Sequence, residues 1–315
     1  MASQRQTASL KPRALRSGDT IGVVAPASYF ARQDFEAGCE ALRGLGYKVV
    51  FDEAIFERDL YFAGSAQRRA RELESMFARA DVDAIICARG GYGANYLLPL
   101  LDVKKIAASP KPLVGYSDVT SLMTYFCDSI GLVTFHGPMV AKDFAKPDGI
   151  ESGSWAAALT GSTNFNFTAD SKMQALVQGS AEGVLYGGCL SMLAASLGTP
   201  YEIHTEGTIL FIEDVATKPY QIDRMLMQLK LAGKLAGVCG IIFGEMLDCV
   251  QSGNQPYTLQ EVIMRIVGDL GVPVAYGLRS GHVSRSNITL PLGVSAQLNV
   301  NGSNVLLNIT ESSTT

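Results

Sequence analysis

The chain has 315 residues, 47% of them apolar, and a formal net charge of −4. At about 150 residues per domain, this length is enough for two modest hydrophobic cores. The slightly acidic balance, with no basic run and no interleaving of aromatic and basic residues, argues against a nucleic-acid partner, and no apolar run is long enough to span a membrane.

Residues 1–14 read as a tail with basic residues but no apolar segment of a secretion signal, so the protein is expected to stay in the cytoplasm. Strands and helices then alternate. DTIGVVAP is a buried strand, DFEAGCEALRGLG a helix and YKVVFD a second strand; SAQRRARELESMFARA is a helix with a charged face that leads into the strand DAIICA. KPLVG and a serine-bearing helix follow, and LVTF closes a first α/β domain over 15–140. The alternation predicts a parallel Rossmann-like sheet with right-handed crossovers. Residues 141–179 are poorer in pattern, contain the polar stretch GSTNFNFTADS, and are expected to cross between domains.

A smaller α/β domain is expected over 180–315. GCLSMLAASLG is a short helix, GTILFIE a strand, and QIDRMLMQLKLAGKL a helix whose Ile222, Met225, Leu226 and Leu229 recur at i, i+3, i+4 and i+7, a stripe suited to core or dimer packing. SAQLNV and NVLLNIT flank Asn301-Gly302 and read as a hairpin. The six cysteines, at 39, 87, 127, 189, 239 and 249, form no C-x-x-C pair and read as reduced core thiols rather than metal ligands or a disulfide frame.

VGYSDVT, residues 114–120, sets Ser117 between a short apolar strand and a helix. There its hydroxyl would project above the free N–H groups and positive dipole end of that helix, as an acyl-transfer nucleophile requires. The same serine would also serve as an N-cap, and the run lacks the second glycine of G-x-S-x-G. A serine nucleophile needs a base, and the chain has three histidines. His136 ends an apolar strand before Gly-Pro, His204 lies in a polar turn, and His282 lies in a glycine-flanked loop of the kind that carries catalytic side chains. The strand GTILFIEDV ends in Glu213-Asp214, and either acid at such a strand end would orient an imidazole. Gly90, Gly91 and Gly93 follow a strand but lack the G-x-G-x-x-G spacing, and no Walker lysine-serine pair follows, so nucleotide binding is not expected.

VAPAS (24–28), ARGGYGANYLL (88–98), VGYSDVT, FHGPMV (135–140), YGGCLSML (186–193), FIEDV (211–215) and SGHVSRSNITLPLG (280–293) together resemble the LD-carboxypeptidase family of serine peptidases, in the family's motif order. These enzymes remove the terminal D-alanine from cytoplasmic murein tetrapeptides, and a sister branch, the microcin C immunity peptidases, cleaves a peptide–nucleotide antibiotic. The resemblance implies Ser117 as nucleophile, Glu213 as triad acid and His282 as base, with no cofactor and no metal. It also implies an active site where the two domains meet, since the serine lies in the first half and the other two in the second. The backbone N–H groups of Gly91, or of an immediate neighbour, and of Asp118 are expected to form the oxyanion hole, and Arg89, Tyr92 and Gly188 to bind substrate. Arg89 reads equally as a salt-bridged structural residue. Cys189 departs from the family pattern, where asparagine is expected in many relatives, and the departure bears on a polar substrate contact there, not on the triad. The expected assembly is a homodimer.

Overall fold

A computed structural model describes residues 9–161, 165–168, 173–250 and 256–315, which divide into two compact units. The first comprises residues up to 162 together with 285–293 and 312–315; the second comprises 163–284 and 294–311. Of the polar stretch expected to cross between domains, residues 162–164 and 169–171 lie outside the described residues.

In the first unit β1 (Thr20–Val24), α1 (Arg32–Gly44), β2 (Lys48–Val50), α2 (Ala66–Ala78), β3 (Ala84–Cys87), α3 (Val103–Ala108), β4 (Leu113–Gly115), α4 (Thr120–Ile130), β5 (Thr134–His136) and α5 (Ser152–Leu159) follow in sequence. The strands order as β12-β5-β4-β3-β1-β2, where β12 is Leu290–Leu292. All pairings are parallel except β12, which joins antiparallel with Leu290 opposite His136 and Leu292 opposite Thr134. The parallel sheet is as expected. The expected partition differs, because residues 141–161 contain α5 and belong to the first unit, and Leu290–Leu292, within the range expected for the second domain, complete the first unit's sheet.

Helix α1 turns Phe35, Gly38, Cys39 and Leu42 inward, the i, i+3, i+4, i+7 face of an amphipathic helix. Gly38 is required there, since a Cβ would lie 2.0 Å from the Val140 carbonyl oxygen. Helix α2 starts at Ser65, whose Oγ accepts the Arg68 N–H at 3.3 Å. Its charged residues do not all face solvent. Arg69 and Glu72 are buried, and Glu72 accepts the Ala25 N–H at 2.9 Å and an Arg68 N–H at 2.8 Å.

The second unit contains β6 (Phe165–Thr168), β7 (Gln174–Val177), β8 (Gly179–Cys189), α6 (Leu190–Ala195), β9 (Thr208–Glu213), α7 (Pro219–Leu231), β10 (Gly240–Gly244), α8 (Leu259–Val267), β11 (Val274–Leu278), β13 (Ser295–Asn301) and β14 (Asn304–Ile309). Its strands order as β6-β14-β13-β8-β9-β10-β11-β7. The four central strands β8, β9, β10 and β11 are parallel, and the flanking ones pair antiparallel. Every residue of β9 is buried, the continuous apolar run of a strand covered on both faces. By contrast β13 alternates buried and more exposed positions, as a strand with one solvated face does. The expected hairpin is present, with Asn301 paired to Asn304 around Gly302, whose φ is +59°. On α7, Ile222, Leu226 and Leu229 are buried, so that stripe is core, while Tyr220, Met227 and Leu231 face solvent.

Candidate active site

The end of β4 delivers the chain into a tight turn. Gly115 closes the strand, Tyr116 is extended (φ −158°, ψ −171°), and Ser117 adopts φ +65° at the start of a single 3₁₀ turn before α4. A non-glycine residue in the left-handed region costs about 1–3 kcal/mol and tends to persist where function demands it. The N-cap reading of Ser117 fails, since neither the 3₁₀ turn nor α4 is capped by a side chain. Ser117 is half-buried.

The glycine-rich loop after β3 packs against this turn. A Cβ on Gly90 would lie 2.8 Å from Ser117 Cβ and 3.1 Å from its Oγ, so only glycine lets the two backbones approach. Gly91 has φ +108°, and Ser28 Oγ accepts the Tyr92 N–H at 3.1 Å beside it. Among the described residues, neither the Gly91 N–H nor the Asp118 N–H donates to a protein acceptor. Uncommitted amide donors, one on the residue after Ser117 and one in the loop packed against its turn, are of the kind that suits a developing oxyanion. Arg89 is exposed, makes no ion pair among the described residues, and donates to the Tyr29 carbonyl at 3.1 Å; the salt-bridged reading is thus not met. Tyr92 is exposed too, its ring 5.7 Å from that of Tyr61 and 5.8 Å from that of Phe62.

His136 belongs to the same unit but is fully buried on β5, its ring 5.9 Å from that of Tyr116. Fully buried, it cannot itself reach a substrate. His204 is half-buried in the turn before β9, near Glu202, which pairs with Lys234. Beneath Tyr116 lies Asp143, which accepts the Met139 N–H at 2.9 Å and the Tyr116 hydroxyl at 3.4 Å. Burial pushes this carboxyl up from 3.8 to about 6.

Because its folded pKa lies above the unfolded value, Asp143 binds its proton more tightly in the folded state, and its contribution to stability falls as pH rises from about 4 through 6. At the limit this costs about 3 kcal/mol above pH 7. The stability of Asp143→Asn relative to the wild type is therefore expected to rise between pH 4 and 6 and to level off above 7. Urea unfolding at pH 4, 5, 6 and 7 checks this; a flat difference would mean that Asp143 ionises freely in the fold.

In the second unit, β9 ends in Glu213 and the loop after β11 carries His282. Glu213 is fully buried, and its Oε2 accepts both the His282 backbone N–H at 3.0 Å and Nδ1 of its ring at 2.8 Å. With Glu213 ionised the carboxylate only accepts, and Nδ1 then carries the proton while the lone pair resides on Nε2. The carboxylate thus fixes the orientation of the imidazole, with 11% of the side chain accessible. Gly244 on the neighbouring strand leaves room for the acid, since a Cβ there would lie 2.7 Å from Glu213 Cβ. Asp214 points elsewhere, as alternation along a strand demands. Its carboxylate accepts from the Ser191 N–H and hydroxyl, the Val215 N–H and the Thr217 hydroxyl, at 2.7 to 2.9 Å.

Gly188 and Cys189 lie at the end of β8, in register with Ile212 and Glu213 of β9. Cys189 Sγ is 3.9 Å from Asp214 Oδ2, and burial pushes its thiol well above the usual range, which keeps it protonated. One further residue escaped the sequence reading. Glu245, directly after β10, accepts the Ser284 N–H at 2.7 Å and hydroxyl at 2.9 Å and so fastens the loop that carries His282. Its position at the end of the apolar strand GIIFG is the only signal for it in the sequence.

The chain belongs to the LD-carboxypeptidase family: residues 21–137 match its N-terminal domain and residues 182–298 its C-terminal domain. The probable murein peptide carboxypeptidase of Bacillus subtilis (strain 168) is 40% identical over 293 residues, 92% of this chain and 91% of that protein. The microcin C7 self-immunity protein MccF of Escherichia coli is 32% identical over 94% of each chain. A solved structure of MccF in complex with glutamyl sulfamoyl guanosine matches with a TM-score of 0.89 at 27% identity, over 97% of this chain and 100% of that one. The crystal structure of muramoyltetrapeptide carboxypeptidase from Oxalobacter formigenes matches with a TM-score of 0.84 at 30% identity, over 93% and 99%. No described helix is long and apolar enough to cross a membrane.

Proposed function

We propose that the chain is a serine carboxypeptidase that hydrolyses the L,D-peptide bond joining the terminal D-alanine of murein tetrapeptide to its diamino acid, in cell-wall recycling, with Ser117, His282 and Glu213 as the triad. The observation that carries this reading is the buried hydrogen bond from His282 Nδ1 to Glu213 Oε2, which leaves Nε2 as the acceptor for a proton. In this reading Nε2 takes the Ser117 Oγ proton as Oγ attacks the carbonyl before the D-residue. The N–H groups of Gly91 and Asp118 receive the oxyanion, each contributing about 3 to 4 kcal/mol to the transition state. As the tetrahedral intermediate collapses, His282 returns the proton to the departing amine of D-alanine. Water, deprotonated in turn by Nε2, then cleaves the acyl ester on Ser117. Exposed Arg89 is assigned to a substrate carboxylate, and Tyr92 and Gly188 to the walls of the substrate site.

The relatives named for murein peptides support the substrate class. The likeness to MccF supports a second reading with the same chemistry, in which the acyl group comes from a peptidyl-nucleotide. The protein is further proposed to work in the cytoplasm as a homodimer. Mass spectrometry after incubation with muropeptide tetrapeptide and, separately, with a peptidyl-adenylate tests the assignment. Loss of one D-alanine from the tetrapeptide is expected; cleavage of the peptidyl-adenylate alone would move the protein to the second reading, and turnover of neither would make it a binding protein.

A further inference from the structure

One peptide group of the glycine-rich loop is held from both ends by buried charged side chains. The Gly93 carbonyl accepts from Arg69 Nη1 at 2.8 Å, and the Ala94 N–H of the same peptide unit donates to Asp118 Oδ2 at 2.7 Å. Arg69 and Asp118 are 1% and 2% exposed. Arg69 also donates to the carbonyls of Pro26 and Gly64, so it ties the loops after β1 and before α2 to this same peptide. Its guanidinium lies 4.9 Å from the centre of the Phe62 ring. Gly93, at φ +121°, has no room for a side chain, since a Cβ would lie 2.6 Å from Phe62 Cδ1 and 2.9 Å from Arg69 Nη1.

Burying a carboxylate and a guanidinium is costly unless their hydrogen bonds are made, and here one bond from each side chain meets at the same backbone unit. Burial raises the Asp118 carboxyl and lowers the Arg69 guanidinium from their ordinary values, both by desolvation. A peptide whose carbonyl points to a cation and whose N–H points to an anion has its dipole aligned by both. Rotation of that peptide is what would let Gly91, two residues earlier, drift. Gly90, Gly91 and Gly93 provide little intrinsic stiffness of their own, because glycine restricts φ least.

We infer that the side chains of Asp118 and Arg69 are positioning residues for the oxyanion donors: they lock the Gly93–Ala94 peptide and thereby hold the Gly91 N–H in a fixed relation to the Asp118 N–H beside Ser117. The inference rests on the reading of Ser117 as nucleophile. It gives Asp118 two separate tasks, a backbone N–H toward the reacting oxygen and a side chain toward the loop. Such donors must be fixed to within about 0.5 Å, and a misplacement of about 1 Å costs on the order of 100-fold in rate.

The test is steady-state kinetics on murein tetrapeptide together with the rate of fluorophosphonate labelling of Ser117. Asp118→Ala is expected to lower kcat by about 100-fold with KM within about threefold of the wild type, and to slow labelling in proportion. Asp118→Asn, whose amide oxygen still accepts the Ala94 N–H, is expected to recover at least about tenfold of that loss. Arg69→Lys, which reaches one carbonyl rather than three, is expected to lose kcat in the same KM-sparing way; it decides the question if Asp118→Ala does not fold. A folded Asp118→Ala or Arg69→Lys with kcat within about threefold of the wild type would overturn the inference, as would Asp118→Asn no better than Asp118→Ala. If the wild type is not labelled, or Ser117→Ala remains active, the nucleophile reading fails and the inference with it, a result distinct from a labelled wild type with an indifferent Asp118 variant.

Discussion

Ser117→Ala is expected to leave the fold intact and to reduce kcat by about 10⁴ to 10⁶, equivalent to roughly 5 to 8 kcal/mol of transition-state stabilisation. The structural basis is the backbone. Ser117 holds φ +65° although nothing in its hydrogen bonding explains why, since its side chain caps neither the 3₁₀ turn nor α4. The conformation points to a role for the hydroxyl outside the fold. A corollary separates strain from chemistry. Ser117→Gly relieves the left-handed penalty of about 1–2 kcal/mol but gains chain entropy in the unfolded state, so it should melt slightly above Ser117→Ala while being equally inactive. Thermal unfolding of both variants alongside kcat measures the two effects independently. Retention of more than about a tenth of wild-type kcat in Ser117→Ala at an unchanged melting temperature would make the residue structural.

The parts of this fold that were legible in the sequence are those whose physics is local. The apolar run of β1, the periodic face of α1 and the turn chemistry at Asn301-Gly302 all depend on residues a few positions apart, and each forms where its pattern falls. Strand β12 illustrates the opposite. The run LPL reads as a short strand, yet its pairing with β5 joins residues about 150 positions apart, and no local signal says which unit's sheet it completes. Helix α5 escaped notice because SGSWAAAL has small residues on most faces and hence little amphipathic contrast. Helix α8 did leave a signal, the capping box in which Thr258 Oγ1 accepts the Glu261 N–H at 3.2 Å and Glu261 accepts the Thr258 N–H at 2.6 Å.

The same contrast runs through the site. Ser117, Glu213 and His282 are marked locally by strand ends and glycine-flanked loops, and the family's motif order is the basis of the roles proposed for them. The second layer is not marked in this way. Arg69 sits in a run of charged helical residues, RRARELE, where solvation is the ordinary outcome, and only the convergence of three loop carbonyls on its guanidinium explains why it faces inward. Asp118 was noticed for its backbone, whereas its side chain is buried against a peptide 24 positions earlier in the chain.

Glu213→Gln is the second change expected to have a very large effect, and the geometry makes it sharper than deletion would be. A glutamine keeps the shape, but where Oε2 now accepts from both the His282 backbone N–H and Nδ1, the amide can turn its N–H toward the ring and favour the tautomer with the proton on Nε2. That proton occupies the position needed to deprotonate Ser117. By analogy with the Asp-to-Asn change in the serine-protease triad, kcat should fall by about 10⁴, with KM changed far less. His282→Ala should be as severe, and the double variant scarcely worse than either, because residues acting as one unit are not additive. Asp214→Asn is the control that distinguishes an orienting acid from a structural one. Asp214 takes four hydrogen bonds from Ser191, Val215 and Thr217, so its loss should appear as reduced stability, on the order of 1 to 3 kcal/mol, with kcat largely retained in the folded fraction. Kinetics with murein tetrapeptide and urea unfolding of the two variants give a crossed pattern if Glu213 is the acid. A reversed pattern, with Asp214→Asn inactive but stable and Glu213→Gln active, would transfer the orienting role to Asp214.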